Sequence, residues 1–486
     1  MGQSTSPRQR VLFAVFLLAL FPAGNALQPK LDEDTWWHLA VGRNVVENRA
    51  VPEVDPFSRI GQEEQIPWIA YSWLHEVVLY GAYELGGLTG VLAFRHLLDS
   101  LTFLTMAWFV LNRSGARPWP VVVLALVTAT LVPMMLERPW HYTIIFTTLS
   151  LHATIAIRAG ASPRRFWWLV PVFVLWANVH IQFVLGFGVL GLGLIATFVE
   201  RRRTGMNAGP WGEWLLLAAG CVAATLVNPY HLRIYQVIWE YATQTGALLV
   251  VSELAAPDFH FWWNWALAAL LLWAAVTCAV RRLPIFDTAL LIVGAVFSLR
   301  MQRDIWFGAL AAAAVLTHMR NDRAPADRLP FSALMAAVFA ALVLVRVVWT
   351  IGPGRERPPS EVNRQEYPAA AAEFVRQSRP PGPLYNHFNP GGYLIWSLPE
   401  YPVGLDGRTN LYGEERLLRA FGTWAGEEGW DRDPELLAAG VVLAPKKLGK
   451  SEVPLTGLLR AATDRWRIAY EDDVAVVFVR KGEPGA

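Results

Sequence analysis

Charge is scarce in this chain of 486 residues: Asp, Glu, Lys and Arg make up 17% of it and apolar residues 54%, too oily a balance for a water-soluble protein of this size. Cysteine is nearly absent. The two that occur, Cys221 and Cys278, lie inside apolar runs, so no disulfide framework is suggested and the redox compartment is left unread. The sequence has no P-loop or dinucleotide fingerprint in a strand-to-helix context, which removes the usual nucleotide-site signatures. It shows no tandem repeat, and no nucleic-acid partner is expected. What it has instead is long apolar runs and 23 tryptophans. Trp140, Trp167, Trp168, Trp262 and Trp263 fall near run ends, where an amphipathic ring gains most at a lipid interface. Composition therefore predicts a polytopic membrane protein.

A membrane-crossing helix needs about 20 mostly apolar residues. Such runs are read at roughly 11–29, 90–111, 119–136, 142–157, 166–180, 182–199, 213–228, 261–280, 285–299, 304–319 and 330–350. Several are short and neighbours nearly touch, so the expectation is about 11 transmembrane helices. Arg8 and Arg10 before the first run, with small residues at 23–26, also fit a cleaved signal peptide. The run is taken as an uncleaved span, and both readings leave residue 31 outside.

Net charge, +2, is less informative than where the arginines lie. Arg113 and Arg117, then Arg158, Arg164 and Arg165, Arg201 to Arg203, Arg281 and Arg282, and finally Arg320, Arg323 and Arg328 fall in every second connection, on the side of Arg8 and Arg10. Those are read as cytoplasmic loops. The alternate connections carry Glu137, Arg138 and His141; Asn178, His180 and Gln182; Asn228, His231 and Arg233; Arg300, Arg303 and Asp304. Polar groups at a membrane boundary are costly unless solvated, paired or used, so their gathering predicts an outward-facing polar site.

The domain reading follows: a first span at 1–29, an external loop at 30–89, a transmembrane helical domain at 90–351 and an external soluble α/β domain at 352–486. The loop carries the acidic stretch LDEDTWWHLAVG at 31–42, a helix expected over 35–48, a turn VPEVDPFS, and the amphipathic stretch SWLHEVVLYGAYEL. The tail opens on a linker, GPGRERPPS, and alternates helical segments with strand-like runs PLYNH, GGYLIW, YPVGLD, GVVLAP and DVAVVFV.

Asp34 directly precedes the expected helix, a position where a carboxylate caps backbone N–H groups and where Asp32 and Glu33 are favoured by the helix dipole. Its spacing to His38 opens a second reading, since residues four apart approach on one helix face. Such a pair steers a general base or contributes to a divalent metal site. Trp36 and Trp37 are expected to anchor the helix at the membrane boundary. Asp55 is expected to form an Asp-Pro turn, and Glu76 to be solvated.

The run DTWWHLAVGRNVVENRAVPEVDPFS, followed by PWIAYSWLHEVVLY, resembles the first external loop of bacterial polytopic glycosyltransferases with the GT-C fold. It is most similar to a branch in which an acidic residue before a Trp-His pair opens an amphipathic helix. ERPWHYT, WANVHIQFVLG, LVNPYHLRIY, LRMQRDIWF and NPGGYLIWSLPEYPVGLDGRTNLYG extend the resemblance nearly end to end. It implies a GT-C-like all-α membrane domain in the bacterial cytoplasmic (inner) membrane. It also implies a polyprenyl-phosphate sugar donor entering from the bilayer, and transfer to an acceptor (glycan, lipid or protein) on the outer, periplasmic face. The family's early acidic motif maps to Asp34, with Asp32 the alternative. The branch's Arg-Pro is matched by Arg138-Pro139, after which Trp140 and His141 are this chain's own.

The residues agree chemically. A hydroxyl is a poor nucleophile, and a placed carboxylate takes its proton as the sugar–phosphate bond breaks; Asp34 is the candidate. The leaving lipid phosphate needs cations at the boundary, and Arg138, Arg300 and Arg303 are the candidates against ordinary interfacial snorkelling. His38, His141 and His180 are further candidate substrate contacts, His180 alternatively bonding a tight turn. Glu137 is a candidate second acid or a local ion pair with Arg138. The competing classes are a lipid or solute transporter or flippase, which usually places its polar sites near the midplane in related halves, and a noncatalytic envelope assembly protein.

Overall fold

Each apolar run read as a span forms a helix in the computed structural model, which describes residues 6–25, 30–114, 117–205, 210–243, 251–319, 329–351, 367–449 and 451–481. The chain is mostly helical, with a few strands near its C-terminus. It divides into two compact units, one of residues 1–28, 92–232 and 252–355, the other of residues 29–91, 233–251 and 356–486. The arginines at 320–328 and the linker at 352–360 lie outside the described residues.

Among the described residues, three helices have the length and apolar composition to cross a membrane: Trp73–Ser114, Ile181–Arg203 and Trp262–Arg281. Others are shorter. Ile305–Leu316 has 12 residues, all buried, and at 1.5 Å per residue it reaches only ~18 Å of a ~30 Å hydrocarbon core. Its run of alanines lets neighbouring helices close around it. The Trp73–Ser114 helix is broken at Gly86–Gly87, where Gly87 takes φ 57° and ψ −144°, a region that a side chain disfavours. The amphipathic stretch at 72–85 and the expected span at 90–111 are thus two parts of one broken helix.

The first unit sorts its polar groups to two ends. At one, Arg158 pairs with Glu200 at 2.9 Å, Arg164 with Glu213 at 2.8 Å and His318 with Asp287 at 2.9 Å. These belong to the arginine-bearing connections. At the other, the alternate connections are cross-tied. Thr143 meets His180 Nδ1 at 2.7 Å, Asn178 donates to the Val227 carbonyl at 2.8 Å, Gln182 donates to Asp304 at 3.0 Å, and Gln302 N–H donates to the Ala255 carbonyl at 2.7 Å.

In the second unit the tail forms a four-stranded sheet, β1 (Leu384–Asn386), β2 (Val441–Pro445), β5 (Trp466–Glu471) and β6 (Ala475–Arg480), in the order β1-β2-β6-β5. β1 runs parallel to β2 and the other pairings are antiparallel; β3 (Lys447–Leu448) and β4 (Ser451–Glu452) form a separate ribbon. β2 is buried throughout, and Val442, Ala444, Val476 and Phe478 pack with Trp424, Leu455 and Trp466 into one core.

Three expectations for the tail are met, at β1, β2 and β6. GGYLIW is instead helical, within Phe388–Ser397, because His387 accepts the Asn389 N–H and caps a helix there, and a short apolar run has no period of its own to oppose it. YPVGLD forms only a bridge, Val403 to Ser58. β5 went unread, its outer face carrying polar residues.

Candidate functional site

The acidic turn is built by its own backbone. Asp32 accepts the Asp34 N–H on Oδ1 at 3.0 Å and the Thr35 N–H on its carbonyl, closing a turn that starts the Thr35–Asn48 helix. Asp34 occupies the N-cap position with φ −77° and ψ −18°, and its side chain makes no cap hydrogen bond. The carboxylate lies instead against Gly407: a Cβ there would stand 2.2 Å from Asp34 Oδ1 and 3.4 Å from Trp37 Nε1. Glu33, partly open to solvent, is crowded by packed protein and by the charges of Asp32 and Asp34, which raise its pKa to about 7, while Asn389 opposes the shift.

His38 is buried and its Nδ1 lies 3.1 Å from Glu76 Oε1, which also accepts from Ser72 at 2.9 Å. Glu76 was expected in solvent and is only 1% exposed; the helix that carries it packs that face inward, and the imidazole and hydroxyl both serve its Oε1, while Oε2 is buried without a hydrogen bond among the described residues. The tryptophans also depart from expectation. Trp36 packs edge-on to Tyr367 and Tyr393 at 5.4 and 5.1 Å, and Trp37 lies 3.6 Å from the His38 ring. Both are buried, so they bind the tail to this helix rather than a lipid boundary.

Gly407 belongs to an Asp-Gly-Arg turn fixed by charge. Arg408 donates to both oxygens of Asp406, at 2.8 and 2.7 Å, and to Asp55 at 2.6 Å, with its guanidinium 4.7 Å from the Trp68 ring. Burial alone would lower its pKa, yet Asp406 and Asp55 hold it well above the ordinary value. Tyr412 donates to Asp406. Asp55 makes the expected turn by accepting the Phe57 N–H at 3.1 Å, and it is also a fully buried partner of Arg408. Removing one member of so buried a set strands the others' charges, at a typical cost of about 3–5 kcal/mol.

The remaining candidates lie in the first unit. Glu137 is buried and pairs with Arg95 at 3.3 Å, and Arg138 pairs with Glu253 at 2.9 Å over the Trp140 ring. His141 is buried between Thr102, the Leu136 carbonyl and Asp99. His180 is buried, with Thr143 on its Nδ1. Arg300 is exposed and Arg303 half-buried in the connection that holds Asp304. Among the described residues no group of three or more His, Cys, Asp or Glu side chains is arranged to hold a metal ion.

No family model matches the chain, and no curated protein does. Solved structures do. The chain is similar to the crystal structure of ArnT from Cupriavidus metallidurans bound to undecaprenyl phosphate, at 16% identity over 96% of this chain and 97% of that one, with a TM-score of 0.48. It is also similar to the apo state of the same protein, at 13% identity over 96% of each chain and a TM-score of 0.41. Likeness at this level leaves the reaction to be argued from the residues.

Sequence reading missed Arg95 and Asp99, both buried in the first unit. Their signal was present as charges four residues apart in an otherwise apolar run, a placement that calls for partners. It also missed Asp406, Gly407 and Arg408, whose motif lay in plain view without showing which part of the chain it serves.

Proposed function

We propose that the protein is a membrane glycosyltransferase that moves a sugar from a polyprenyl-phosphate donor to an acceptor on the outer face of the cytoplasmic membrane. The observation that carries this reading is the Asp34 carboxylate, which is set at a helix start, not used to cap it, and held against a glycine turn. In this reading Asp34 takes the acceptor hydroxyl's proton as that oxygen forms its bond to the sugar carbon. The bond from sugar to phosphate oxygen breaks, and the lipid phosphate leaves with the electron pair. Arg138, Arg300 and Arg303 are the cations assigned to that phosphate.

The test supplies purified protein with a panel of labelled polyprenyl-phosphate sugars and follows release of polyprenyl phosphate. Asp34→Asn should lower transfer by roughly 100-fold at near-native stability, and Asp32→Asn should do less. Full transfer by Asp34→Asn, with Asp34→Ala lowering only thermal stability, would make the carboxylate a structural group and sink the assignment.

A further inference from the structure

The second unit holds a cavity of about 460 Å³, within the ~300–1,000 Å³ range of small-ligand sites. Its aromatic wall is formed by Trp36, Tyr83, Tyr393 and Trp396, and its charged lining residues are Arg43, Arg376 and Glu400. Tyr83 meets the Trp396 ring at 5.1 Å, and Trp36 meets Tyr393 at the same distance. The rings therefore brace one another, which keeps an aromatic wall rigid without a ligand.

The two arginines differ. Arg376 is committed, donating to Glu373 and to the Ser397 carbonyl. Arg43 lies over the Trp396 ring, 4.4 Å from its centre, and among the described residues no hydrogen bond or ion pair engages its guanidinium. A second hollow of about 180 Å³, lined by Asn44, Glu47 and Tyr401, shares Arg43 and Pro399 with the first. Arg43 thus stands where two hollows adjoin, its planar fork stacked and oriented.

We propose that these adjoining hollows bind a saccharide of more than one ring bearing an acidic substituent. Aromatic side chains cover the C–H faces of pyranose rings while hydroxyls point to the polar rim, and a stacked guanidinium pairs bidentately with a carboxylate or phosphate. An acyl chain would cover the half-buried Arg43 without supplying an anion, which is costly. If the protein transfers sugar, this saccharide is the acceptor; that role rests on the glycosyltransferase reading, but the binding does not.

The test is saturation-transfer NMR on the full-length protein in detergent, with a uronic-acid trisaccharide, a phosphorylated trisaccharide, a neutral glucose trisaccharide and anionic lipid vesicles as probes. An acidic trisaccharide should bind more tightly than the neutral one. Arg43→Gln should weaken the acidic probe by about 10-fold or more, the loss of a charge-assisted pair, and leave the neutral one unchanged; Trp396→Ala should weaken both. Binding by no trisaccharide, equal binding by Arg43→Gln, or binding of vesicles alone would overturn the proposal. Saccharide binding with this pattern but no transfer from any donor would remove the glycosyltransferase reading and leave the site standing. Transfer at wild-type rate by Trp396→Ala with unaltered saccharide binding would do the reverse.

Discussion

Asp34 and Gly407 exclude a side chain between them: the carboxylate oxygen lies 2.2 Å from where a Cβ on Gly407 would stand. The acidic turn near the start of the chain and the Asp-Gly-Arg turn of the tail are therefore fitted to one another. Because Arg408 is locked to Asp406 and Asp55, the tail's turn has little freedom to retreat.

The first prediction concerns that fit. Gly407→Ala should push the Asp34 carboxylate aside and lower sugar transfer by about 10-fold or more, the scale on which misplacing a reacting group acts. Circular dichroism and the apparent Tm should stay close to wild type, since the methyl group meets a side chain and not a packed core. Transfer at the native rate would show that the exact place of the carboxylate is immaterial.

For the donor phosphate, Arg138→Ala and Arg303→Ala should each weaken donor binding or slow turnover by roughly 10-fold or more, about 1.4 kcal/mol. Arg138 is also the partner of Glu253, so Glu253→Gln is the control. If Glu253→Gln reproduces the loss seen in Arg138→Ala, the arginine serves its ion pair. Unchanged kinetics in both alanine variants would return the arginines to interfacial snorkelling.

A pH dependence follows from His387. It is buried, it accepts the Asn389 N–H as a helix cap, and burial pushes its pKa from 6.5 down to about 4. The folded chain then binds this proton less readily than the unfolded one. The group's contribution to stability is present above pH 6.5 and is lost as pH falls from there toward about 4. His387→Asn keeps a capping side chain and should flatten the fall in apparent Tm between about pH 7 and about pH 4. An undiminished acid slope would remove His387 as its source.

Topology is open to labelling. The exposed positions Glu63 and Asp464, changed singly to Cys in a chain with Cys221 and Cys278 replaced, should react with an impermeant thiol reagent added from outside. Arg202→Cys should be protected. The opposite pattern would invert the orientation drawn from the arginines. Ser58 is unsuitable for this purpose because it is buried, with its hydroxyl held by Asp55.

How far the site was legible depends on the range of its contacts. The Thr35–Asn48 helix was readable because its start signal and apolar pattern are local. The acidic turn was readable for the same reason, and Asp34 could be picked out from its place before a Trp-His pair. Spacing offered Asp34 as a neighbour of His38, and only the structure brings Glu76 to its Nδ1, a residue whose own neighbours had suggested solvent. Glu137 repeats the lesson. Beside Arg138 in sequence, it pairs with Arg95, and Arg138 turns to Glu253.

By itself the sequence determined the apolar helices and their alternation of arginine-rich with mixed polar connections, because span length and interfacial charge depend on residues close together in the chain. It also determined β1, β2 and β6, whose β-rich runs stand between turn signals. Only the tertiary structure decided that the tail's GGYLIW is a helix packed on Trp36, that the Asp-Gly-Arg turn closes over Asp34, and that the two tryptophans face protein. Those outcomes depend on which buried charges and ring faces meet after distant segments have packed, and the cost of leaving such groups unpartnered is set by the whole unit and not by their neighbours in sequence.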